Sequence, residues 1–154
     1  AEIYLTMEKR PVLNEGVEEL LKILSNSSNH RLGVLTGNLL AVAEEKLRLT
    51  GIRGYFAETF CSDGYFDRRA LVRDAVNACV RNYSLRGSAA VTIVGDTPRD
   101  MEAANANGAT AIGVASGSYS ASELTGAGAV AVFQSLDPGN LLLEALGVKA
   151  DERL

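Results

Sequence analysis

Apolar residues fall along this chain in two alternating rhythms, a three-to-four-residue spacing and short unbroken runs, which predict helices and buried strands in turn. Val17, Leu20, Leu21 and Leu24 share one helical face, so residues 14–25 read as an amphipathic helix, stopped by Asn26-Ser27-Ser28-Asn29. Leu32 to Thr36 reads as a short strand. Gly37-Asn38 then turns into a second helix, with Leu39, Val42, Ala43 and Leu47 on one face and Thr50-Gly51 at its end. Asp67 is placed to cap a third helix carrying Leu71, Val72, Ala75, Val76 and Cys79, after a loop over Cys61–Phe66 with room for a short strand. Val91–Val94 is a buried-type strand. Thr97 suits the N-cap and Pro98 the first position of the next helix, which runs to about Gly108. Ala111–Val114 forms another strand, and the loop Ser116-Gly117-Ser118-Tyr119 after it reads as a turn, with a place at the border of the pocket as the alternative. Ser120 and Glu123 have capping-box spacing. A strand over Ala129–Phe133 follows, and Asp137-Pro138 opens a last helix with Leu141, Leu142 and Ala145, closed by Gly147.

Regular alternation of this kind implies an α/β fold: a three-layer, Rossmann-like parallel sheet with helices on both faces and a ligand site at the carboxyl ends of the strands. At 154 residues the chain suits one domain with a full core. Fifteen basic and nineteen acidic residues give a net charge of -4, which offers no general attraction to nucleic acid or to an anionic membrane, and neither is expected as a partner. Cys61 and Cys79 match no metal-ligand spacing and read as reduced core residues. No secretory pattern and no apolar run of about 18 residues occurs, so a cytoplasmic location is expected.

Chemistry concentrates at the strand ends. Gly95-Asp96-Thr97-Pro98-Arg99-Asp100 puts one carboxylate at the tip of a strand and a second in the first turn of the helix that follows. Two oxygen donors beside a positive helix terminus suit a Mg2+ ion that keeps several waters and touches a substrate phosphate. The competing reading is a helix cap plus a solvated acid. Thr36 closes its strand as Asp96 closes the later one, and Gly37 and Asn38 follow it. A hydroxyl and backbone N–H groups at such a turn can hold phosphoryl oxygens, although Thr-Gly-Asn is also an ordinary turn. Arg68 and Arg69 begin the third helix, an unfavourable end for cations, which points to an anionic partner: a phosphate or a nearby carboxylate. His30 lies at the opposite end of its strand and carries no expected catalytic role. No Gly-x-Gly-x-x-Gly and no Gly-Lys-Ser/Thr loop is present, which argues against a nucleotide-binding domain.

Taken in order, Leu32-Gly33-Val34-Leu35-Thr36-Gly37-Asn38, then Arg68 or Arg69, then Gly95 to Asp100 resemble the signatures of the haloacid dehalogenase superfamily, most nearly its phosphoglycolate phosphatase-like branch. The resemblance runs from about Pro11 to Leu146 and includes Gly16-Val17-Glu18-Glu19-Leu20-Leu21 and Ala127-Gly128-Ala129. It implies a magnesium-dependent phosphatase that acts on a small phosphorylated metabolite through an aspartyl-phosphate intermediate. Thr36 would bond the transferring phosphoryl group, with Gly37, Asn38 and Arg69 as substrate-binding neighbours. Arg68, with Arg69 as the alternative, would stand where the family often has lysine, and Asp96 and Asp100 would serve the metal.

One motif is missing. Members of the superfamily begin with a strand ending in Asp-x-Asp, whose first carboxylate attacks phosphorus and whose second works as acid and base. No Asp-x-Asp occurs in the 154 residues. The resemblance therefore implies a core at 13–148 that lacks its central nucleophile strand, with 1–12 as a linker from a cap region and 149–154 as a C-terminal tail. In the family's sheet the missing strand lies between the Thr36 and Asp96 strands. These would stand about 10 Å apart, twice the usual spacing, unless they close up or the slot is filled. An upstream segment, a second chain or residues 3–7, with alternating Ile3, Leu5 and Met7, are the expected occupants. The chain alone is expected to be inactive, and the alternative reading is a noncatalytic phosphate- or metal-binding regulatory module of the same fold.

Overall fold

A computed structural model describes residues 10–153. Among them, parallel strands and helices alternate as the apolar spacing predicts: α1 (Val17–Asn26), β1 (Gly33–Leu35), α2 (Leu40–Leu49), β2 (Glu58–Phe60), α3 (Arg68–Asn82), β3 (Thr92–Gly95), α4 (Pro98–Ala106), β4 (Thr110–Val114), α5 (Ala121–Gly126), β5 (Ala131–Phe133) and α6 (Asn140–Ala145). Local chemistry sets the helix starts. The Asp67 carboxylate accepts from the Arg69 N–H, the Thr97 hydroxyl accepts from the Asp100 N–H, and Ser120 and Glu123 form a reciprocal capping box. The Ser120 N–H and hydroxyl donated to Glu123 hold its carboxyl below the usual range.

Among the described residues the sheet is in two pieces. β1 pairs in parallel with β2, and β3, β4 and β5 pair in parallel in that order. Among the described residues no ladder joins β1 to β3, the place where the resemblance drawn from the sequence implies a missing strand. Burial follows the break. β4, with a neighbour on each side, is buried from Ala111 to Val114, whereas β3 alternates between exposed and half-buried and Val94 is 40% exposed. A strand covered on both faces and paired on both edges should be the most buried part of such a fold; β3 falls short of that on its open side.

Packing still ties the pieces together. Val72, Val76, Met101, Ala104, Ala111 and Leu124 form a cluster under α3, α4 and α5, and Leu35 of β1 and Ile93 of β3 both pack against it. A second cluster joins α1 to α6 through Leu20, Leu24, Leu142 and Leu143, with Leu32 and Phe133 against it. A third holds Leu21, Leu47 and Ile52 beside Leu32 and Val34. Helices thus cover both faces of the sheet. No helix of the described residues is long and apolar enough to cross a membrane.

Several local readings change. β2 lies just before the loop in which a short strand was expected, at Glu58–Phe60. Its three residues are too few to show a period, and the turn Arg53–Tyr55 precedes them. Leu39 is the N-cap of α2 and 53% exposed, not part of its apolar face. α6 starts at Asn140, two residues beyond Pro138, and buries Leu142 and Leu143 while Leu141 is 75% exposed. Three consecutive leucines leave the inward face undecided, and contact with Leu20 and Leu24 selects it. The proposed strand over residues 3–7 lies outside the described residues.

Gly16 shows how tightly α1 is seated. It precedes the helix at φ +80°, and a Cβ there would lie 2.3 Å from Asp137 Cα. Alanine at Gly16 is therefore expected to destabilise the fold by about 2–4 kcal/mol, from the left-handed backbone and the overlap together. A urea titration reads this as a lowered midpoint at unchanged slope; an unchanged midpoint would contradict the packing.

Candidate active site

Thr36 follows directly on the carboxyl end of β1 and Asp96 on that of β3, in the two different sheet pieces. Thr36 stays in the ladder through its N–H, which donates to the Phe60 carbonyl at 2.9 Å. Its hydroxyl oxygen accepts from the Asn38 N–H at 3.1 Å and from Asn38 Nδ2 at 3.0 Å. Both lone pairs are thereby occupied, so the single hydroxyl proton is left to donate outward. An outward donor suits an anionic oxygen. Asn38 is held in turn, its carbonyl accepting from the Ser62 N–H and hydroxyl. Gly37 is exposed, with open space where a side chain would be.

The start of α2 is capped from a distance. The Asp63 carboxylate accepts from the Leu40 N–H at 2.6 Å. Contact with the Cys61 thiol and this N–H lower the Asp63 carboxyl below its ordinary range, and Asp63 in turn raises the Cys61 thiol. The capping role of Asp63 depends on a contact 23 residues away in the chain, which spacing cannot reveal.

Asp100 is the most constrained acid of the site, only 7% exposed. Arg68 donates to its Oδ1 through Nη2 at 2.6 Å and Nε at 3.0 Å, and the Thr97 hydroxyl donates to Oδ2 at 2.9 Å. Of the two arginines at the start of α3, Arg68 is the one that reaches this carboxylate. Arg69 is exposed and lines, with Phe66, Arg99 and Glu102, a cavity of about 260 Å³ beside the first turns of α3 and α4. Gly95 is what lets Asp100 in: a Cβ at position 95 would lie 2.5 Å from Asp100 Cβ and 2.7 Å from its Oδ2. The bare backbone before Asp96 thus forms the floor on which the second acid rests.

Asp96 is exposed and makes no hydrogen bond among the described residues. Its Oδ2 lies 3.1 Å from where a Cβ of Gly117 would be, so the Ser116–Ser118 loop borders the site. Of the two readings open for this loop, the approach favours a place beside Asp96, and the glycine's position just after a strand end is the sequence signal for it. On the other side of β1, a cavity of about 220 Å³ has Leu13, Val34, Thr36, Asn38 and Lys46 among its walls.

The donor set fits a hard cation in part. Asp96 offers a free carboxylate and Asp100 one remaining lone pair on Oδ2, and magnesium commonly takes one or two carboxylates and completes its shell with water. Among the described residues no group of three or more histidine, cysteine or acidic side chains gathers to hold a metal. His30 lies away from all of this, bonded to Ser27 and to the Leu146 carbonyl, as its place at the start of β1 predicts.

Comparison with known proteins identifies the class. The sequence profile of the haloacid dehalogenase-like hydrolases matches residues 3–114, and the chain belongs to that family. No curated protein matches. Among solved structures, a predicted phosphatase from Clostridium acetobutylicum superposes with a TM-score of 0.72 at 26% identity, covering 86% of this chain and 59% of that one. A predicted phosphoglycolate phosphatase from Haemophilus somnus gives 0.71 at 19% identity, with 82% and 55% covered. A magnesium-bound hydrolase of the same superfamily from Bacillus subtilis gives 0.67 at 15% identity, with 88% and 55% covered. The chain thus spans less than three fifths of the length of these structures.

The Arg68–Asp100 pair is predicted to be energetically coupled, because both ends are largely withdrawn from water, with side chains 26% and 9% exposed. A double-mutant cycle with Arg68→Met and Asp100→Asn should return a coupling of about 1–3 kcal/mol in urea unfolding. A coupling near zero would contradict the geometry.

Proposed function

We propose that this chain is the core of a magnesium-dependent phosphatase-type hydrolase that cleaves a small phosphorylated metabolite through an aspartyl-phosphate intermediate, and that its 154 residues alone do not turn over. The observation that carries the reading is the break in the sheet, with Thr36 on one side of it and Asp96 on the other, in a sequence that holds no Asp-x-Asp. The names of the Clostridium and Haemophilus relatives support phosphomonoester chemistry, and the magnesium bound in the Bacillus structure supports the metal.

The residues divide the work by position. A carboxylate at the tip of an inserted strand would stand between Thr36 and Asp96 and attack phosphorus as the ester oxygen leaves. The second acid of that strand would give the leaving oxygen its proton and then draw one from the hydrolytic water. The Thr36 hydroxyl donates to a phosphoryl oxygen, with Gly37 leaving room for its approach and Asn38 keeping the hydroxyl aimed. Arg68 holds Asp100 and adds positive charge beside it, and Arg69 faces the outer part of the substrate. Asp96 and Asp100 would hold magnesium, which when bound offsets negative charge on the phosphoryl oxygens. The expected partners are the phosphorylated metabolite and the upstream segment or second chain that brings the strand, in the cytoplasm.

The test compares the chain alone with the chain joined to its upstream coding segment, using p-nitrophenyl phosphate with and without magnesium. No turnover is expected from residues 1–154, and magnesium-dependent turnover from the longer protein, reduced at least about a hundredfold by Asp96→Asn. Turnover by residues 1–154 would overturn the assignment of an external nucleophile. Magnesium binding in a gene with no upstream Asp-x-Asp strand would replace it with the noncatalytic module.

A further inference from the structure

Ser27, His30 and Glu152 form a hydrogen-bonded chain at the amino end of β1, away from the active-site edge. Ser27 is 4% exposed, and its hydroxyl oxygen lies 2.7 Å from His30 Nδ1 and 3.0 Å from Glu152 Oε1. The other ring nitrogen, Nε2, lies 2.7 Å from the Leu146 carbonyl oxygen. Glu152 also uses Oε2 to accept from the Lys149 N–H at 3.1 Å, closing the turn Ala150–Glu152 on itself.

Counting donors constrains the protons. A carbonyl only accepts, so Nε2 carries a hydrogen. An ionised carboxylate only accepts, so the one Ser27 proton points at Oε1. Ser27 Oγ is then an acceptor toward Nδ1, which must carry a hydrogen too, and the Asn29 N–H approaching the same oxygen at 3.4 Å agrees with an accepting role. All three contacts hold with an imidazolium and a carboxylate, or equally with a neutral imidazole and a protonated Glu152. Each arrangement has one proton more than a neutral histidine beside an ionised glutamate. Without that proton the Ser27 hydroxyl can serve only one of its two partners, and the other contact sets lone pair against lone pair.

The geometry points to a proton-dependent clasp: the C-terminal turn is held on the α1–β1 connection by a His30–Ser27–Glu152 chain that takes up one proton on closing and releases it on opening. The clasp lies beside the apolar cluster of α1 and α6, whose member Val148 is 2% exposed and whose carbonyl accepts from the Arg153 guanidinium. The other charged groups nearby are Arg31, folded onto the His30 carbonyl, Glu144 at the end of α6, and Lys149, Asp151 and Arg153 on the turn itself. None forms a salt bridge with His30 or Glu152 among the described residues. Since the closed state binds the extra proton, closure is favoured at lower pH and weakens as pH rises.

His30 is the single histidine of the sequence, so its ring nitrogen resonances are unambiguous in the 154-residue protein. The test follows them by NMR across pH 5 to 9 together with the exchange protection of the Lys149 amide. Protection corrected for intrinsic exchange should fall by up to about tenfold per pH unit as the clasp proton is lost. In Glu152→Gln the amide N–H supplies the missing donor, so Lys149 protection should persist and lose its pH dependence, whereas Glu152→Ala should lose it at every pH. An unchanged pH dependence in Glu152→Gln would overturn the clasp. So would pH-independent Lys149 protection in the unsubstituted protein, a result that needs no variant to fold.

Discussion

Backbone hydrogen bonding is the constraint on which the rest of this structure depends. A parallel strand inside a sheet must find partners on two edges, and among the described residues β1 and β3 each find one. Thr36 donates to Phe60 and Leu32 accepts from Ala57, so the even-numbered residues of β1 face β2 and Gly33 and Leu35 face the break. Thr110 donates to Val91, so the odd-numbered residues of β3 face β4 and Thr92 and Val94 face the break. Leu35 of β1 and Ile93 of β3 nevertheless pack against one shared apolar cluster, which ties the two open edges to the same core.

The candidate chemistry is organised at the ends of those strands. Thr36 and Asp96 belong to different sheet pieces, and each stands directly after the carboxyl end of its own strand. Behind them, Asp100 is fixed by three contacts of different kinds: a guanidinium from α3, a hydroxyl from its own N-cap and the bare backbone of Gly95. The order in this half is therefore high without any ligand. The free hydroxyl proton of Thr36 and the unpaired carboxylate of Asp96 are the groups left facing outward, and they are complementary to an anion and a cation respectively.

Sequence carried the architecture because each element is short and sharply punctuated. Thr97-Pro98 and Ser120 with Glu123 are local signals, and the structure keeps them at the residues expected. Arg68 and Arg69 lie within one turn and look alike in sequence; which of them contacts Asp100 is set by the reach to an acid 32 residues on. Gly117 beside Asp96, Asp63 on α2 and the inward face of Leu141–Leu143 escaped for the same reason: each is set by a neighbour distant in sequence. The break in the sheet was legible because the absence of a motif is itself a sequence property, and the family's strand order says where that absence falls.

Hydrogen exchange at the two open edges tests the account most directly. In the 154-residue protein the Leu35 and Val94 amides should exchange with little protection while those of β4 are strongly protected, and both should gain protection when the upstream segment is present. Leu35 and Val94 as well protected as β4 in the chain alone would mean that the slot is already filled, and would contradict the account.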